Sequence, residues 1–324
     1  MPEGVGFCLT RCEDMPHTAS QFAVGIQDAL PAELVPGSAL QYVVLGNYVY
    51  HPGWLRHVCP HLFTAPRGGV IIHVDAGDMV PDPKYHIVKP ALPPFGKHHS
   101  KFAILQYPGY LRVFITTANF IPFDWEKHTQ GVWLQDFPLK SSSTEVASPF
   151  EKHLTAYLSS YGKYFGSGRE FSDPSVMAEV QRLVPLYDFS GARAHLVGAV
   201  PGRHAGSQWG QLRVRALATR LPAGDRPVSV VGQYSSQSST PDKYLSTLAI
   251  SFSGGRAALP ALKIVWPRVS DMLAAKGGVV NAGGHFPSVA AHVSALKPRH
   301  HVWDASVSGL TGFTPHMKTW LAYT

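Results

Sequence analysis

The chain has 324 residues, enough for one large or two medium domains, and 45% of them are hydrophobic and 11% aromatic, which supplies a sizeable core and excludes wholesale disorder. Only 15% are charged, while glycine (30) and proline (27) are abundant, a mix that fits a loop-rich layered globule and excludes a coiled coil or helical repeat. The formal net charge is +7, with 17 histidines besides, which permits an anionic partner without requiring one.

Met1 to Met15 contains Glu3, Arg11, Glu13 and Asp14 and lacks the apolar run of a signal peptide, so no secretory leader is expected. No apolar run long enough for a membrane span occurs, so no membrane partner is expected either. Three cysteines, Cys8, Cys12 and Cys59, are too few for a disulfide framework and fit a reducing compartment. His57-Val58-Cys59-Pro60-His61 alternates residues of metal-ligand type, but no second cluster at finger spacing accompanies it. It is read as a strand-to-loop edge, with no metal.

Gln41 to Tyr50 and Gly69 to Val74, rich in Val, Ile and Tyr, predict strands. Lys101 to Gln106 and Leu111 to Thr117 predict a hairpin, because Tyr107-Pro108-Gly109-Tyr110 has type II turn chemistry. Gly131 to Leu134 predicts a short strand. Ser148-Pro149 supplies a cap and a first-turn proline for a helix that buries Phe150, Leu154, Tyr157, Leu158 and Tyr161 and ends at Gly162. Asp173-Pro174 opens another helix, with Val176, Val180 and Leu183 inward. The apolar stretch Ala194 to Val200 predicts a strand after a polar loop, which puts a domain boundary near residue 190 and divides the chain into 1–189 and 190–324.

The second part alternates again: a helix near Trp209 to Leu221, a strand Val228 to Gln233, a helix near Lys243 to Phe252 and a strand Leu262 to Trp266. Alternation of this kind predicts α/β layers, with helices packed on sheets. Neither a GxxxxGK[ST] phosphate loop nor a GxGxxG after a strand is present, and GxSxG is absent as well.

One pair of triplets carries chemistry. His99-Ser100-Lys101 and His316-Met317-Lys318 each open or lie in an apolar, strand-like run. Residues two apart on a strand point to one face, so each histidine shares a side with its lysine. Imidazole can attack phosphorus or move a proton, while the ammonium neutralises non-bridging oxygens. Two such pairs suit a phosphodiester, with a nucleophile on one side and a general acid on the other.

Longer motifs surround the triplets. Phe95-Gly96-Lys97-His98-His99-Ser100-Lys101, Thr117-Ala118-Asn119, Asp124-Trp125 and Thr129-Gln130-Gly131-Val132-Trp133 occur in order. Gly198-Ala199-Val200-Pro201-Gly202-Arg203, Val231-Gly232-Gln233-Tyr234-Ser235-Ser236, Leu262-Lys263-Ile264-Val265-Trp266-Pro267 and Pro315-His316-Met317-Lys318-Thr319 follow. From about Gln41 onward the chain resembles the tyrosyl-DNA phosphodiesterase family of the phospholipase D superfamily. The resemblance implies two pseudo-symmetric halves, each a mixed sheet flanked by helices, that contribute their His-x-Lys pairs to one cleft.

The resemblance also implies roles. His99 matches the nucleophile that forms a phosphohistidine, and His316 the general acid that protonates the leaving tyrosyl oxygen and later activates water. Lys101, Lys318 and Asn119 match groups that hold phosphoryl oxygens, and Gln130 matches a residue that supports the site. No cofactor is implied, since lysines and amides take the place of a cation. Tyr48 and Phe95 match aromatics on the DNA side, where stacking tolerates any base; ordinary core packing is their plain alternative. Ser235, Ser236 and Ser239 match phosphate contacts, with a polar loop as their plain alternative.

The implied substrate is single-stranded or 3′-end DNA carrying a tyrosyl or other 3′ adduct, above all a topoisomerase I-derived peptide, and the implied location is the nucleus. A general phospholipase D-like phosphodiesterase, or a catalytically impaired DNA-binding remnant, is the alternative. Departures from the family matter here. The family's asparagine and acidic residue beyond the second triplet have no counterpart, because six residues follow Lys318. His285 stands where the family usually has serine. The second half is therefore expected to be truncated, with Trp320 and Leu321 uncovered and the chain prone to self-association.

Overall fold

Runs of Val, Ile, Leu and aromatic residues form the strands of this chain. The computed structural model describes residues 6–73, 83–90, 92–94, 96–142, 146–163, 174–222, 227–235, 241–276, 278 and 297–324. Among these residues the strands begin with β1 (Phe7–Thr10), β2 (Ala23–Val24), β3 (Tyr42–Gly46), β4 (Gly69–Ile72), β5 (Tyr85–Val88), β6 (Phe102–Tyr107) and β7 (Tyr110–Thr116). They continue as β8 (His128–Thr129), β9 (Gly131–Pro138), β10 (Ser229–Gln233), β11 (Leu262–Val265), β12 (His300–His301), β13 (Thr314–Pro315) and β14 (Thr319–Tyr323). Two compact units result. The first holds Met1–Cys8, Val24–Pro122 and Val132–Arg203; the second holds Leu9–Ala23, Phe123–Gly131 and His204–Thr324. No described helix is long and apolar enough to cross a membrane.

In the first unit, β9, β7, β6, β3, β4 and β5 lie in that order in a mixed sheet. β3 runs antiparallel to β6 and parallel to β4, which is parallel to β5. Val43, Val44, Leu45, Val70, Ile72, Ala103 and Leu105 are fully buried. Both faces of these central strands are covered, which is why they read as continuous apolar runs. The β6–β7 hairpin turns at Pro108-Gly109, and Gly109 has φ +82°, as a type II turn requires at that position. The helix Pro149–Lys163 buries Phe150, Leu154, Tyr157, Leu158 and Tyr161, and the Tyr157 ring meets Phe102 of β6 edge-on, with centroids 6.0 Å apart.

A buried guanidinium ties this sheet to a helix end. Arg112 on β7 binds Asp136, its register partner on β9, through Nε at 2.7 Å and Nη2 at 2.8 Å. Its Nη1 also donates to the carbonyl of Ala29 at 3.0 Å, the last residue of the helix Ile26–Ala29. Bidentate pairing plus a helix-end acceptor offsets the desolvation of the charge.

The second unit has its own sheet in the order β12, β11, β10, β14. β10 is parallel to β11 and antiparallel to β14. Its core gathers Val230, Leu245, Ala249, Leu262, Ile264 and Trp266. The strand plan therefore repeats between units. In each, the strand that follows a His-x-Lys triplet (β6, β14) runs antiparallel to an earlier strand (β3, β10), which in turn runs parallel to the next (β4, β11). A small parallel pair, β8 with β13, also belongs to the second unit.

Several expectations differ from the structure. Ala194 to Val200 is not a strand: the backbone around it is satisfied by side chains of the first unit. Gln135 Nε2 donates to Gly191 O, Gln135 Oε1 accepts from Arg193 N, and Gly198 N donates to His153 Nε2. These bonds hold the segment on the first unit, whose last stretch, Val132–Arg203, runs past the boundary expected near residue 190, while Leu9–Ala23 and Phe123–Gly131 fall in the second unit. Cys59 caps the helix Pro52–Val58 and precedes a 3₁₀ turn; it is not a strand edge. β9 runs on past Leu134 to Pro138, and the helix from Pro149 continues past Gly162 to Lys163. Trp320 is covered, with its ring stacked on Phe252 at 4.3 Å, whereas Leu321 is 59% exposed.

Candidate active site

Neither His-x-Lys triplet lies on a strand. Both occupy the connecting backbone immediately before β6 and β14, where side chains escape the sheet ladder and gather with loop residues.

In the first unit, side chains alternate along His98 to Lys101. His98 and Ser100 turn toward the helix Pro149–Lys163: His98 Nε2 lies 2.7 Å from Tyr161 Oη, and Tyr157 Oη donates to Ser100 Oγ at 2.9 Å. The two phenols bond each other at 2.9 Å, which closes a chain His98–Tyr161–Tyr157–Ser100. Burial pushes the pKa of both tyrosines up, so they remain neutral. His98 is pushed down to about 4, first by burial and then by the charges of Lys101 and His73. This neutral, buried chain fixes the backbone on either side of His99.

His99 and Lys101 turn the other way. Lys101 Nζ lies 3.0 Å from His99 Nδ1 and donates to the His99 carbonyl at 3.1 Å. Lys101 is buried, whereas His99 is exposed. The Tyr48 ring stands 4.5 Å from the His99 ring, and Lys101 Nζ is 5.5 Å from its centre. A cavity of about 380 Å³ opens over the segment, lined by Leu92, Lys97, His99 and Pro201 among others.

Asn47 links the loops that carry Tyr48 and Asn119. It is fully buried, its Oδ1 accepts from Tyr48 N at 2.7 Å, and its Nδ2 donates to Ala118 O at 3.4 Å. Asn119 itself is buried.

The second unit builds a different constellation. β13 pairs with β8, placing Thr314 opposite His128 and Pro315 opposite Thr129, and His316 N donates to Thr129 O at 3.1 Å. This register delivers His316 to the side chains around β8. Gln130, fully buried, places Nε2 2.8 Å from His316 Nδ1. Asp124 Oδ1 lies 3.4 Å from His316 Nδ1 and 3.4 Å from His128 Nδ1. Thr10 pins the strand beneath, accepting from Gln130 N at 3.0 Å and donating to His128 O at 2.9 Å.

Lys318 Nζ donates to the His316 carbonyl at 2.7 Å. Burial lowers the Lys318 pKa to about 8, against the pull of Asp124. Burial also lowers that of His316, which a hydrogen bond to Asp124 opposes.

The structure thus groups Tyr48, His99 and Lys101 in one unit, and Gln130, His316 and Lys318 in the other. Ser235 is buried and is therefore no solvent-facing loop residue. Phe95, Ser236, Ser239 and His285 lie outside the described residues. Sequence reasoning missed the roles of Asn47, His98, Tyr157, Tyr161, Asp124 and His128. For His98 and Ser100 a signal existed, since their alternation with His99 and Lys101 predicts an opposite face. The three cysteines are buried and free, with thiol pKa values pushed up by burial to about 11 for Cys8 and about 12 for Cys12 and Cys59. They are weak nucleophiles.

Residues 6–324 match the family described as tyrosyl-DNA phosphodiesterase. Tyrosyl-DNA phosphodiesterase 1 of Arabidopsis thaliana is 29% identical over 340 residues, covering 98% of this chain and 54% of its own length. A probable tyrosyl-DNA phosphodiesterase of Caenorhabditis elegans is 26% identical, over 91% of this chain and 68% of its own. The chain spans about half the length of the Arabidopsis relative. The fold is similar to that of the yeast tyrosyl-DNA phosphodiesterase crystal structure, with a TM-score of 0.73 at 16% identity over 98% of this chain and 80% of that one.

Proposed function

Because the chain belongs to the tyrosyl-DNA phosphodiesterase family, we propose that it hydrolyses the 3′-phosphotyrosyl bond between DNA and a topoisomerase I-derived peptide. The observation that carries this reading is the pairing of one histidine with one lysine in each of two units built on the same strand plan.

His99 attacks phosphorus and the P–O bond to tyrosine breaks, leaving DNA on the imidazole. Lys101 holds Nδ1 until a phosphoryl oxygen replaces it as acceptor, and Asn119 and Lys318 add donors to the phosphoryl oxygens. His316 gives its proton to the tyrosyl oxygen and then takes one from the water that releases a 3′-phosphate. Gln130 orients the His316 ring. The two lysines supply the positive charge for the phosphoryl group, so excess chelator leaves turnover intact. In this reading Tyr48 and Phe95 serve base stacking, while Ser235, Ser236 and Ser239 position the phosphates. Other 3′ adducts fit the same chemistry, and the reading puts the activity in the nucleus.

A 3′-tyrosyl oligonucleotide tests the proposal. Turnover to a 3′-phosphate in excess chelator, abolished by His99→Ala, is expected. A strict requirement for magnesium would overturn it.

A further inference from the structure

Asp124, His128 and His316 come from the short helix Pro122–Glu126, from β8 and from the residue after β13, and they converge on one point. Their ligand atoms all lie within 4.8 Å of one another. The residues are 2%, 1% and 7% exposed. The carboxylate oxygen of Asp124 stands 3.4 Å from an Nδ1 on each ring.

Those separations have a chemical meaning. Zinc binds imidazole nitrogen and carboxylate oxygen at about 2.0–2.2 Å in a tetrahedron, whose neighbouring ligand atoms are then about 3.3–3.6 Å apart. Two of the three edges therefore already have the length a zinc ion needs. Two imidazoles with one carboxylate also select the metal: this donor set suits zinc and its neighbours, whereas magnesium and calcium favour all-oxygen shells. Backbone pairing of β8 with β13 and the Thr10 bonds hold the framework, so little ordering remains to be done on binding. Lys318 carries the nearby opposing charge, and its Nζ is turned to the His316 carbonyl.

We propose that Asp124, His128 and His316 form an inhibitory binding site for a zinc-class divalent transition metal. Three ligands come from the protein, and the fourth position is left to water or to the Gln130 amide oxygen. Coordination displaces Gln130 and the Asp124 hydrogen bond from His316 Nδ1 and keeps the ring from becoming imidazolium, which withdraws it as a general acid. The inhibitory consequence rests on the role proposed for His316; the binding itself does not.

Zinc alone, titrated into the 324-residue chain against a chromogenic chelator, tests the site. One equivalent is expected to bind, with affinity about tenfold or more weaker in both His128→Ala and His128→Gln, since loss of even a supporting contact costs that much. Cobalt(II) in place of zinc should give the intense visible absorption of a tetrahedral site, lost in both variants, and magnesium should not compete. Circular dichroism shows whether each variant is folded. No zinc uptake by the folded wild-type chain, or equal uptake by a folded His128 variant, overturns the site. Turnover of a 3′-tyrosyl oligonucleotide that is insensitive to bound zinc overturns the inhibitory role. A chain that takes up zinc through His128 yet never turns over that oligonucleotide upholds the site and removes the proposed function instead.

Discussion

Gly46 on β3 lies directly opposite Phe102 on β6, and the Phe102 ring fills the space that a side chain at position 46 would need. A Cβ there would stand 2.3 Å from the ring. Phe102 is buried and immediately follows Lys101, so this close approach sets where the first His-x-Lys pair leaves the sheet. Gly46→Ala is expected to destabilise the chain by about 1–3 kcal/mol, the usual cost of overpacking. Gly46→Ala with Phe102→Leu should recover part of the loss in urea denaturation. An unshifted midpoint for the single variant would contradict this packing.

Stability should fall as the solution is made mildly acidic, in part through His98. Its pKa is about 4 in the folded chain and about 6.5 when unfolded. Between those values the unfolded state binds the extra proton. The contribution is therefore complete above about pH 6.5 and is lost as pH falls toward 4. By pH 5 the loss amounts to about 2 kcal/mol. His98→Gln removes this titration, so the fall in urea midpoint from pH 7 to pH 5 should be smaller in the variant than in the wild-type chain. Equal slopes would mean that His98 is not held neutral.

The two histidines of the triplets should separate in their covalent chemistry. His316→Ala, which lacks the base that activates water, should accumulate a protein–DNA adduct on a denaturing gel. His99→Ala should give none. The reverse pattern would exchange the two roles.

Tyr48 touches the nucleophile's ring, so it should matter to turnover more than to binding. Tyr48→Ala is expected to lower kcat by about ten- to a hundredfold through a misplaced His99, and Tyr48→Phe should retain most of the rate, because the contact is made by the ring. A loss confined to KM would assign Tyr48 to DNA stacking alone.

Single-stranded DNA should bind with little preference for sequence and more weakly as salt rises, since phosphate contacts release counterions. Fluorescence anisotropy at several salt concentrations measures the slope. Binding that is independent of salt would count against a basic cleft.

Local rules determined much of this protein from its sequence. Pro108-Gly109 specifies its turn through two residues' own backbone preferences, and the helical face of Phe150, Leu154, Tyr157, Leu158 and Tyr161 is set by spacing alone. The His-x-Lys pairs are legible for the same reason, since the partners stand two residues apart. Tertiary structure decided what depends on distant partners. Ala194 to Val200 has the composition of a strand, yet side chains of Gln135 and His153 satisfy the backbone around it. Gln130 and Asp124 meet His316 across nearly two hundred residues only because β8 and β13 pair in one register. Register of that kind is chosen by the whole core, where burial and backbone pairing across the chain outweigh the preferences of any single segment.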